Sequence, residues 1–333
     1  MIKPRSRGHF EVKTIFMKRI NLTKLLVMLF MLTLFLPTRL PMTEAQTPPP
    51  VTTDPRPRPN PVQTVTSEDV KLEVFFNTIK QGRVGLLRLS GASVTEATLM
   101  FREKESPFFW IEDDAFYAFL AIDMDTPARD THEYTITVQR ANALPDVTIV
   151  MPLTVTLGGF VRQEFNLAAD RTYLMDNELE RLEFAKLDGL LTVFTQEKLW
   201  GDARFQYPIN SDITSPFGAF RVLNGTFETR HTGWDMRAAV GTPIGAMGAG
   251  KVVYAGLMDI RGNCVIIDHG YGVFSAYAHL SQIHVTTGQD VVIGQVIGVS
   301  GNTGRSNGPH LHWEVAVNDT WVDSVDFMAM WIP

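Results

Sequence analysis

Two short histidine motifs near the carboxyl end of this 333-residue chain carry the residue types that hold divalent metal ions. The first is His231-Thr-Gly-Trp-Asp235, and the second is His310-Leu-His312. Zinc binds imidazole nitrogen and carboxylate oxygen, and residues four apart can share a face of a strand or a helix, so His231 and Asp235 can reach one ion. That spacing also arises by chance, and a surface His/Asp pair would explain the first motif alone equally well.

The second motif lies in an alternating stretch, Gly308–Val315, that predicts a β-strand. The alternation places His310, His312 and Glu314 on one face and apolar residues on the other. A third imidazole, His279, follows an apolar run and so stands at the end of another predicted strand. Histidines placed in this way are rarely core residues, and together they indicate a site.

The order of the motifs resembles that of the lysostaphin/LytM-type zinc endopeptidases, peptidase family M23. The resemblance covers residues 200–321 and depends on the motifs in combination. These motifs are Ser215-Pro-Phe-Gly218, His231-Thr-Gly-Trp-Asp235, Tyr277-Ala-His279-Leu280, Gly288–Gly298, Gly301-Asn-Thr-Gly304 and His310-Leu-His312. The resemblance implies that residues 201–333 form a peptidase domain, an antiparallel β-sandwich or barrel of the lysostaphin type.

The resemblance further implies that His231, Asp235 and His312 bind Zn²⁺, and that His279 and His310 are catalytic without binding it. Three protein ligands leave a fourth position for water, whose pKa zinc lowers towards about 7. One unliganded histidine would take up a proton, and the other would donate to the oxyanion or to the departing amine. The sequence does not decide which does which. The implied function is a secreted zinc-dependent endopeptidase that cuts peptide bonds in peptidoglycan stems or cross-bridges.

Two other functions fit parts of the same sequence. A non-catalytic relative could bind the cell wall and regulate other hydrolases, but all five predicted site residues are present here. Gly288–Gly298 also resembles the pattern of biotinyl or lipoyl carrier domains, which need a lysine at a hairpin tip. Neither Gly270-Tyr-Gly272 nor Gly301-Asn-Thr-Gly304 offers one, so the pattern indicates a similar fold without that chemistry.

Other candidate residues are predicted to have structural or supporting roles. His269 and His284 match no catalytic position, and we expect His269 at the surface or beside the ligands. Glu314 lies ~7 Å along the strand from His312, so we expect it to support a ligand rather than to bind the ion. The single cysteine, Cys264, lies in an apolar run and should be buried. The Leu223-Asn224-Gly225 segment, where many relatives have an aromatic residue, is expected to alter substrate contacts.

Residues 1–46 predict an export signal or a membrane anchor. Basic residues precede an apolar run, residues 25–36, which is too short to cross a bilayer core that needs ~20 helical residues. Membrane contact is therefore expected only through this segment, if it stays uncleaved. Residues 47–66 are rich in proline and predict an extended linker. The chain is expected outside the cytoplasm, as a secreted, periplasmic or wall-associated protein.

The rest of the chain is acidic. Eight basic and two acidic residues in residues 1–46 leave a net charge of −12 on the remainder, against −6 overall. Because such a body repels a phosphate backbone, we expect no nucleic-acid partner. Charge attraction to an anionic wall polymer is excluded in the same way, so specific contacts must select a peptidoglycan peptide. The sequence does not predict the oligomeric state.

Residues 67–160 predict an immunoglobulin-like β-sandwich that acts as an accessory domain. Turn residues recur near every dozen positions between apolar runs. The predicted strands are Val70–Phe76, Val84–Ser90, Ala97–Arg102, Phe116–Ile122, Tyr134–Arg140 and Val147–Val155. Residues 161–200 are predicted to form a helical connector that docks between the domains and is weakened at Gly189. The fold class is therefore mainly β: a sandwich, a connecting helix and the peptidase domain.

Overall fold

The computed structural model of the protein describes residues 57–111, 115–129, 131–201 and 205–333. The predicted signal or anchor, residues 1–46, and residues 47–56 of the predicted linker lie outside the described residues. In the part of the chain that the structure describes, no helix is both long and apolar enough to cross a membrane.

Two sheets of five strands, antiparallel except for one pair of strands, form the amino-terminal domain. Their strands, β1 to β10, are Gln63–Ser67, Val70–Val74, Thr78–Lys80, Val84–Ser90, Val94–Phe101, Lys104–Pro107, Phe109–Ile111, Ala115–Ala121, Thr131–Arg140 and Val147–Thr156. The first sheet has the order β1-β2-β4-β8-β7, and the second has the order β3-β10-β9-β5-β6, in which β3 pairs parallel with β10. Every second residue of β10 is buried, which is the pattern of a sheet with one face in a core. The predicted β-sandwich is confirmed, with each of its six predicted strands present.

Two predicted segment boundaries are wrong. Strand β1 begins at Gln63, inside the predicted linker of residues 47–66, because Gln63–Ser67 pairs with Val70–Val74 in a hairpin. Strand β11, Arg162–Phe165, lies inside the predicted helical connector of residues 161–200. It pairs parallel with Phe220–Leu223, so the connector adds a strand to the carboxyl-terminal domain.

The carboxyl-terminal domain is built on one large antiparallel sheet. Its strands, β12 to β23, are Ile213–Ser215, Phe220–Leu223, Phe227–Arg230, Trp234–Arg237, Pro243–Gly245, Gly250–Met258, Gly262–Asp268, Val273–Ile283, Asp290–Val291, Val296–Ser300, His310–Val317 and Trp321–Val322. The main path of the sheet is β12-β15-β22-β19-β18-β17-β20, and β11, β13 and β14 form a small separate sheet. The two central strands, β19 and β22, are buried along most of their length, so both faces of the sheet are covered.

A 3₁₀ helix, Ala169–Leu174, and helix α1, Asn177–Leu191, follow β11; a short helix α2, Ser324–Ala329, ends the domain. The Asp176 side chain caps α1 by accepting from two backbone N–H groups. Helix α1 passes through Gly189 without a break.

The apolar face of α1 packs on the large sheet. Leu187 and Leu191 pack in one cluster with Cys264 and Phe274, so this face of the helix docks on the carboxyl-terminal sheet. Cys264 is fully buried, as predicted. The helix therefore covers the face of the sheet that would otherwise expose these residues.

Aromatic side chains join the sandwich to the carboxyl-terminal domain. Phe109 stacks on Tyr271 with ring centroids 4.2 Å apart, and Phe119 meets Phe327 edge-on at 6.3 Å. These sandwich residues belong to the same buried cluster as the core of the carboxyl-terminal sheet. The two domains therefore share a continuous apolar core.

The prediction that His269 lies at the surface or beside the metal ligands is wrong. Its side chain is fully buried, with Nδ1 2.7 Å from the Ala249 carbonyl oxygen and Nε2 2.7 Å from Ser275 Oγ. Burial lowers the pKa of His269 from 6.5 to about 4. His269 is therefore a hydrogen-bonded core residue, whereas His284 is exposed.

This burial predicts an acid-sensitive contribution to stability. Unfolded chains protonate His269 near pH 6.5, whereas the folded protein resists protonation until about pH 4. The unfolded state therefore binds more protons in this window, and the free energy of unfolding falls as the pH drops through it, by about 3 kcal/mol. In His269→Gln that part of the decrease should be absent, as measured by urea unfolding at several pH values. Identical pH dependence in the variant and the wild type would contradict the assignment.

Candidate metal centre

Strand pairing brings the predicted ligands together. Strands β15 and β22 pair so that Asp235 is directly opposite His312, and β19 pairs with β22 on its other side. His231 lies just before β15, two residues from Gly233. A Cβ atom at Gly233 would meet the carbonyl oxygen of Trp313, so glycine allows the close approach of this turn to β22.

Three potential ligand atoms meet at this point. Nε2 of His231 lies 3.0 Å from Oδ1 of Asp235 and 3.0 Å from Nδ1 of His312, and Nδ1 of His312 lies 2.9 Å from the same carboxylate oxygen. All three side chains are buried, and they form a cluster of possible metal ligands within the described residues. The sequence motifs, 77 residues apart between Asp235 and His312, therefore converge on one point.

Each of the two ligand imidazoles has a second ring nitrogen that forms a hydrogen bond outside the cluster. These hydrogen bonds determine which nitrogen of each ring carries its lone pair towards the cluster. Nδ1 of His231 donates to the Pro216 carbonyl oxygen at 2.6 Å, so Nε2 is the unprotonated nitrogen. Nε2 of His312 lies 3.2 Å from Oε1 of Glu314, and this carboxylate favours the proton on Nε2, leaving Nδ1 as the basic nitrogen.

Two lone pairs and a carboxylate oxygen are therefore crowded together, an arrangement that a cation stabilises. Two imidazole nitrogens and one carboxylate oxygen are a donor set that zinc accepts, with a fourth position left open. The carboxylates of Glu314 and Asp235 also raise the pKa of His312 although burial opposes this, so a proton competes with a metal ion for Nδ1. The residues present fit a zinc ion.

Arg221 holds the second oxygen of the aspartate. Its Nη2 donates to Oδ2 of Asp235 and, at 2.8 Å, to Oγ of Ser215. Burial alone would raise the pKa of Asp235, but the neighbouring His231 and Arg221 outweigh it and hold the pKa well below its usual value. The carboxylate is thus ionised and presents a single oxygen, Oδ1, to the site.

Burial lowers the pKa of His231 to about 4, although Asp235 partly opposes this shift. The imidazole is therefore neutral at physiological pH, which is the form that binds a metal ion. At neutral pH this imidazole has therefore already lost the proton that would compete with a metal ion.

The two histidines predicted to be catalytic lie beside the ligands. Nδ1 of His279 donates to the Thr303 carbonyl oxygen, and Nδ1 of His310 donates to the Gly308 carbonyl oxygen, both at 2.8 Å. These bonds leave Nε2 as the basic nitrogen of each ring. The two ring centroids are 4.8 Å apart, and Nε2 of His310 is 3.4 Å from Oδ1 of Asp235.

His279 has a left-handed backbone conformation, with φ at 61°, which is uncommon for a side chain of this size. Burial, reinforced by His310 and His312, holds the pKa of His279 well below its usual value. A neutral imidazole is thus kept within reach of the metal ligands. The arrangement can accept a proton close to the open coordination position.

A second set of buried charges supports the ligands. Glu314, which the sequence analysis placed beside the ligands, accepts from Arg261 Nε at 2.8 Å and from the Thr232 hydroxyl. Arg261 Nη1 in turn donates to Oε1 of Glu183 at 3.0 Å. No pattern in the sequence marks Arg221, Arg261 or Glu183 as parts of the site.

The connector also forms one wall of the site. A pocket beside the ligands is lined by Phe165 of β11 and by Glu180 and Phe184 of α1, together with the imidazoles of the site. Arg171 of the 3₁₀ helix donates to the Ser306 carbonyl oxygen at 2.6 Å, and Ser306 Oγ lies 3.3 Å from Nδ1 of His310. Residues before the predicted peptidase domain thus contribute to its pocket.

The Leu223-Asn224-Gly225 segment forms the tight turn between β13 and β14, with positive φ at Asn224 and Gly225. Leu223 is buried against Leu167, and the Asn224 side chain accepts from the Leu167 backbone N–H at 2.8 Å. The turn is therefore fastened to the connector. Its effect on substrate contacts remains a prediction.

Comparison with known proteins finds a family and relatives that are similar to the carboxyl-terminal domain. Residues 229–324 match peptidase family M23. The chain is 42% identical over 123 residues to the peptidoglycan DD-endopeptidase ShyA of Vibrio cholerae, an alignment covering 36% of this chain and 29% of that protein. It is 41% identical over 131 residues to the DD-carboxypeptidase/endopeptidase Mpg of Neisseria meningitidis, covering 39% and 30%. The matched region is thus less than a third of either relative.

A solved structure extends the similarity beyond the matched region. The crystal structure of a protein assigned to peptidase M23, from Pseudomonas aeruginosa, is 26% identical, with a TM-score of 0.55, and covers 77% of this chain and 97% of that chain. The similarity therefore reaches well beyond the 36% of the chain aligned with ShyA. Residues 229–324 of the carboxyl-terminal domain thus match peptidase family M23, and the wider fold is similar to that of a protein assigned to the same family.

Proposed function

We propose that this chain is an extracytoplasmic zinc endopeptidase that hydrolyses peptide bonds in peptidoglycan stems or cross-bridges. The observation that carries the proposal is the meeting of His231 Nε2, Asp235 Oδ1 and His312 Nδ1 within 3.0 Å, with their outer hydrogen bonds turning the lone pairs inward. The similarity to proteins named peptidoglycan DD-endopeptidase and DD-carboxypeptidase/endopeptidase supports the choice of substrate.

When bound, zinc supplies Lewis-acid polarisation of the scissile carbonyl and activates water at neutral pH. The residues of the chain do the rest. The Pro216 carbonyl and the Glu314 carboxylate orient the two ligand imidazoles, and Arg221 limits Asp235 to one ligating oxygen. With two neutral imidazoles and one carboxylate around it, the ion would keep a net positive charge.

His279 and His310 provide the proton transfers. Both rings are fixed by backbone carbonyls through Nδ1, so both present Nε2 to the reacting groups. One accepts a proton from the attacking water, and the other donates to the oxyanion or to the leaving amine. Burial lowers the pKa of His279, so this ring is neutral at physiological pH and its Nε2 carries a lone pair.

Separate substitutions should divide metal binding from turnover. His312→Ala removes a ligand, so both zinc binding and hydrolysis should be lost. His279→Ala leaves the three ligands intact, so zinc should remain bound at one equivalent while turnover falls by at least 10²-fold. Metal content by atomic spectroscopy and release of peptides from purified peptidoglycan, followed by mass spectrometry, measure the two effects.

His284→Ala serves as the control, because His284 is exposed and lies outside the cluster. It should leave both quantities unchanged. Stoichiometric zinc in His312→Ala would show that the ligand assignment is wrong. Wild-type protein that binds zinc and peptidoglycan but cleaves no bond would instead favour the non-catalytic regulator.

Arg221 should determine how well the site keeps its metal in acid. In Arg221→Met, Asp235 loses the cation that helps to lower its pKa, so a proton competes for the carboxylate at a higher pH. We expect zinc affinity at pH 7 to fall by about tenfold, the usual scale for a group that orients a ligand, and acid release of zinc to begin at a higher pH. Titration with a chromophoric chelator at several pH values measures both.

Arg237→Met provides a matched control, because Arg237 lies in the same strand as Asp235 but is exposed and pairs with Asp212. Its zinc affinity should equal that of the wild type. Equal affinities and equal pH profiles for Arg221→Met and the wild type would refute the role of Arg221.

A further inference from the structure

A continuous series of hydrogen-bonded charged side chains connects helix α1 to a predicted metal ligand. Glu183 Oε1 accepts from Arg261 Nη1 at 3.0 Å, and Arg261 Nη2 donates to Glu314 Oε1 at 2.5 Å. Glu314 Oε1 lies 3.2 Å from Nε2 of His312. This series, the charged series, therefore consists of Glu183, Arg261, Glu314 and His312, and each member contacts the next.

Every member of the charged series is buried, with at most 6% of its surface exposed. Charges removed from water are costly unless each is paired and hydrogen-bonded. Arg261 satisfies this condition with a carboxylate on each side, since its Nε and Nη2 bind Glu314 while Nη1 binds Glu183. The guanidinium therefore needs both carboxylates to stay in this position.

Glu183 also holds the backbone next to Arg261. Its Oε2 accepts from the Ile260 N–H at 2.6 Å and its Oε1 accepts from the Arg261 N–H at 3.1 Å. It therefore fixes both the start of β18 and the side chain that leaves it. Glu183 lies in α1, well before residues 229–324, the part of the chain that matches the peptidase family.

We propose that Glu183 is a positioning residue for the metal centre, acting through Arg261 and Glu314 to fix the ring of His312. The inference rests on the proposed zinc site and adds the connector helix to it. Without the Glu183 charge, Arg261 is left with Glu314 alone and moves towards it. Glu314 is then shared differently between Arg261 and His312, and the imidazole loses its fixed orientation.

Zinc affinity is the direct measurement, taken by competition with a chromophoric chelator. Groups that hydrogen-bond a metal ligand typically contribute 10- to 100-fold in affinity, so Glu314→Gln should weaken zinc binding by about that factor. Glu183→Gln, one step further away, should weaken it by about three- to tenfold. The absorption spectrum of the Co²⁺-substituted protein should change in both variants, because the geometry at His312 changes.

A double variant tests whether Glu183 affects zinc affinity through the charged series. If Glu183 acts through Glu314, adding Glu183→Gln to Glu314→Gln should cause little further loss of affinity. An undiminished further loss would show that Glu183 acts by another route and would overturn the proposal. Wild-type zinc affinity and an unchanged Co²⁺ spectrum in Glu183→Gln would overturn it as well.

Two controls separate positioning from general stability. Leu187→Ala leaves a cavity under the same helix without touching the charged series, and Glu178→Gln removes an exposed carboxylate of α1 that pairs with Arg181. Both should bind zinc like the wild type, with folding of each variant verified by circular dichroism. If Leu187→Ala weakens zinc binding as much as Glu183→Gln does, the role of Glu183 is merely structural and the proposal fails.

The same measurements distinguish this inference from the proposed function. Wild-type protein that fails to bind zinc would refute the metal centre itself. Wild-type protein that binds zinc and cleaves peptidoglycan, with Glu183→Gln indistinguishable from it, would refute only the role of Glu183.

Discussion

The repulsion among three electron-rich atoms is the constraint on which the site depends. Three buried atoms lie about 3 Å from one another: Nε2 of His231, Nδ1 of His312 and Oδ1 of Asp235. Such atoms repel one another unless a proton or a cation lies between them. Strand register brings them there: Asp235 is opposite His312 across β15 and β22. Outer hydrogen bonds then choose the nitrogens that face inward. The sheet therefore sets the distances, and the surrounding residues set the chemistry.

Charge balance around this point follows from the same constraint. Arg221 donates a hydrogen bond to Asp235, and Arg261 donates one to Glu314. Each of these two carboxylates is therefore paired with a guanidinium. Arginine suits these positions because its planar fork offers several donors and keeps its charge when buried. The carboxylates can thus remain ionised in the interior, which keeps them available to a metal ion and to its ligand imidazoles.

The sequence predicted the parts of the molecule that depend on local patterns. Alternation located the six central strands of the sandwich, and the histidine motifs, through the family that they resemble, pointed to the five residues that the structure brings together. Arg221 and Glu183 could not be found in this way, because their partners are set by pairing of distant strands and by helix docking. His269 was misplaced for a similar reason: its partner is a backbone carbonyl, at Ala249, which no sequence pattern marks.

The connector shows why a boundary drawn from sequence patterns can divide a folded unit. Composition separates residues 161–200 from the glycine-rich domain that follows, yet β11 pairs with β13 and α1 covers the buried face of the large sheet. Glu183 of that helix contacts Arg261, which contacts Glu314 beside His312, a proposed metal ligand. Because a buried charge must be paired wherever its partner lies in the sequence, the network of charges around the candidate metal centre extends as far back as helix α1.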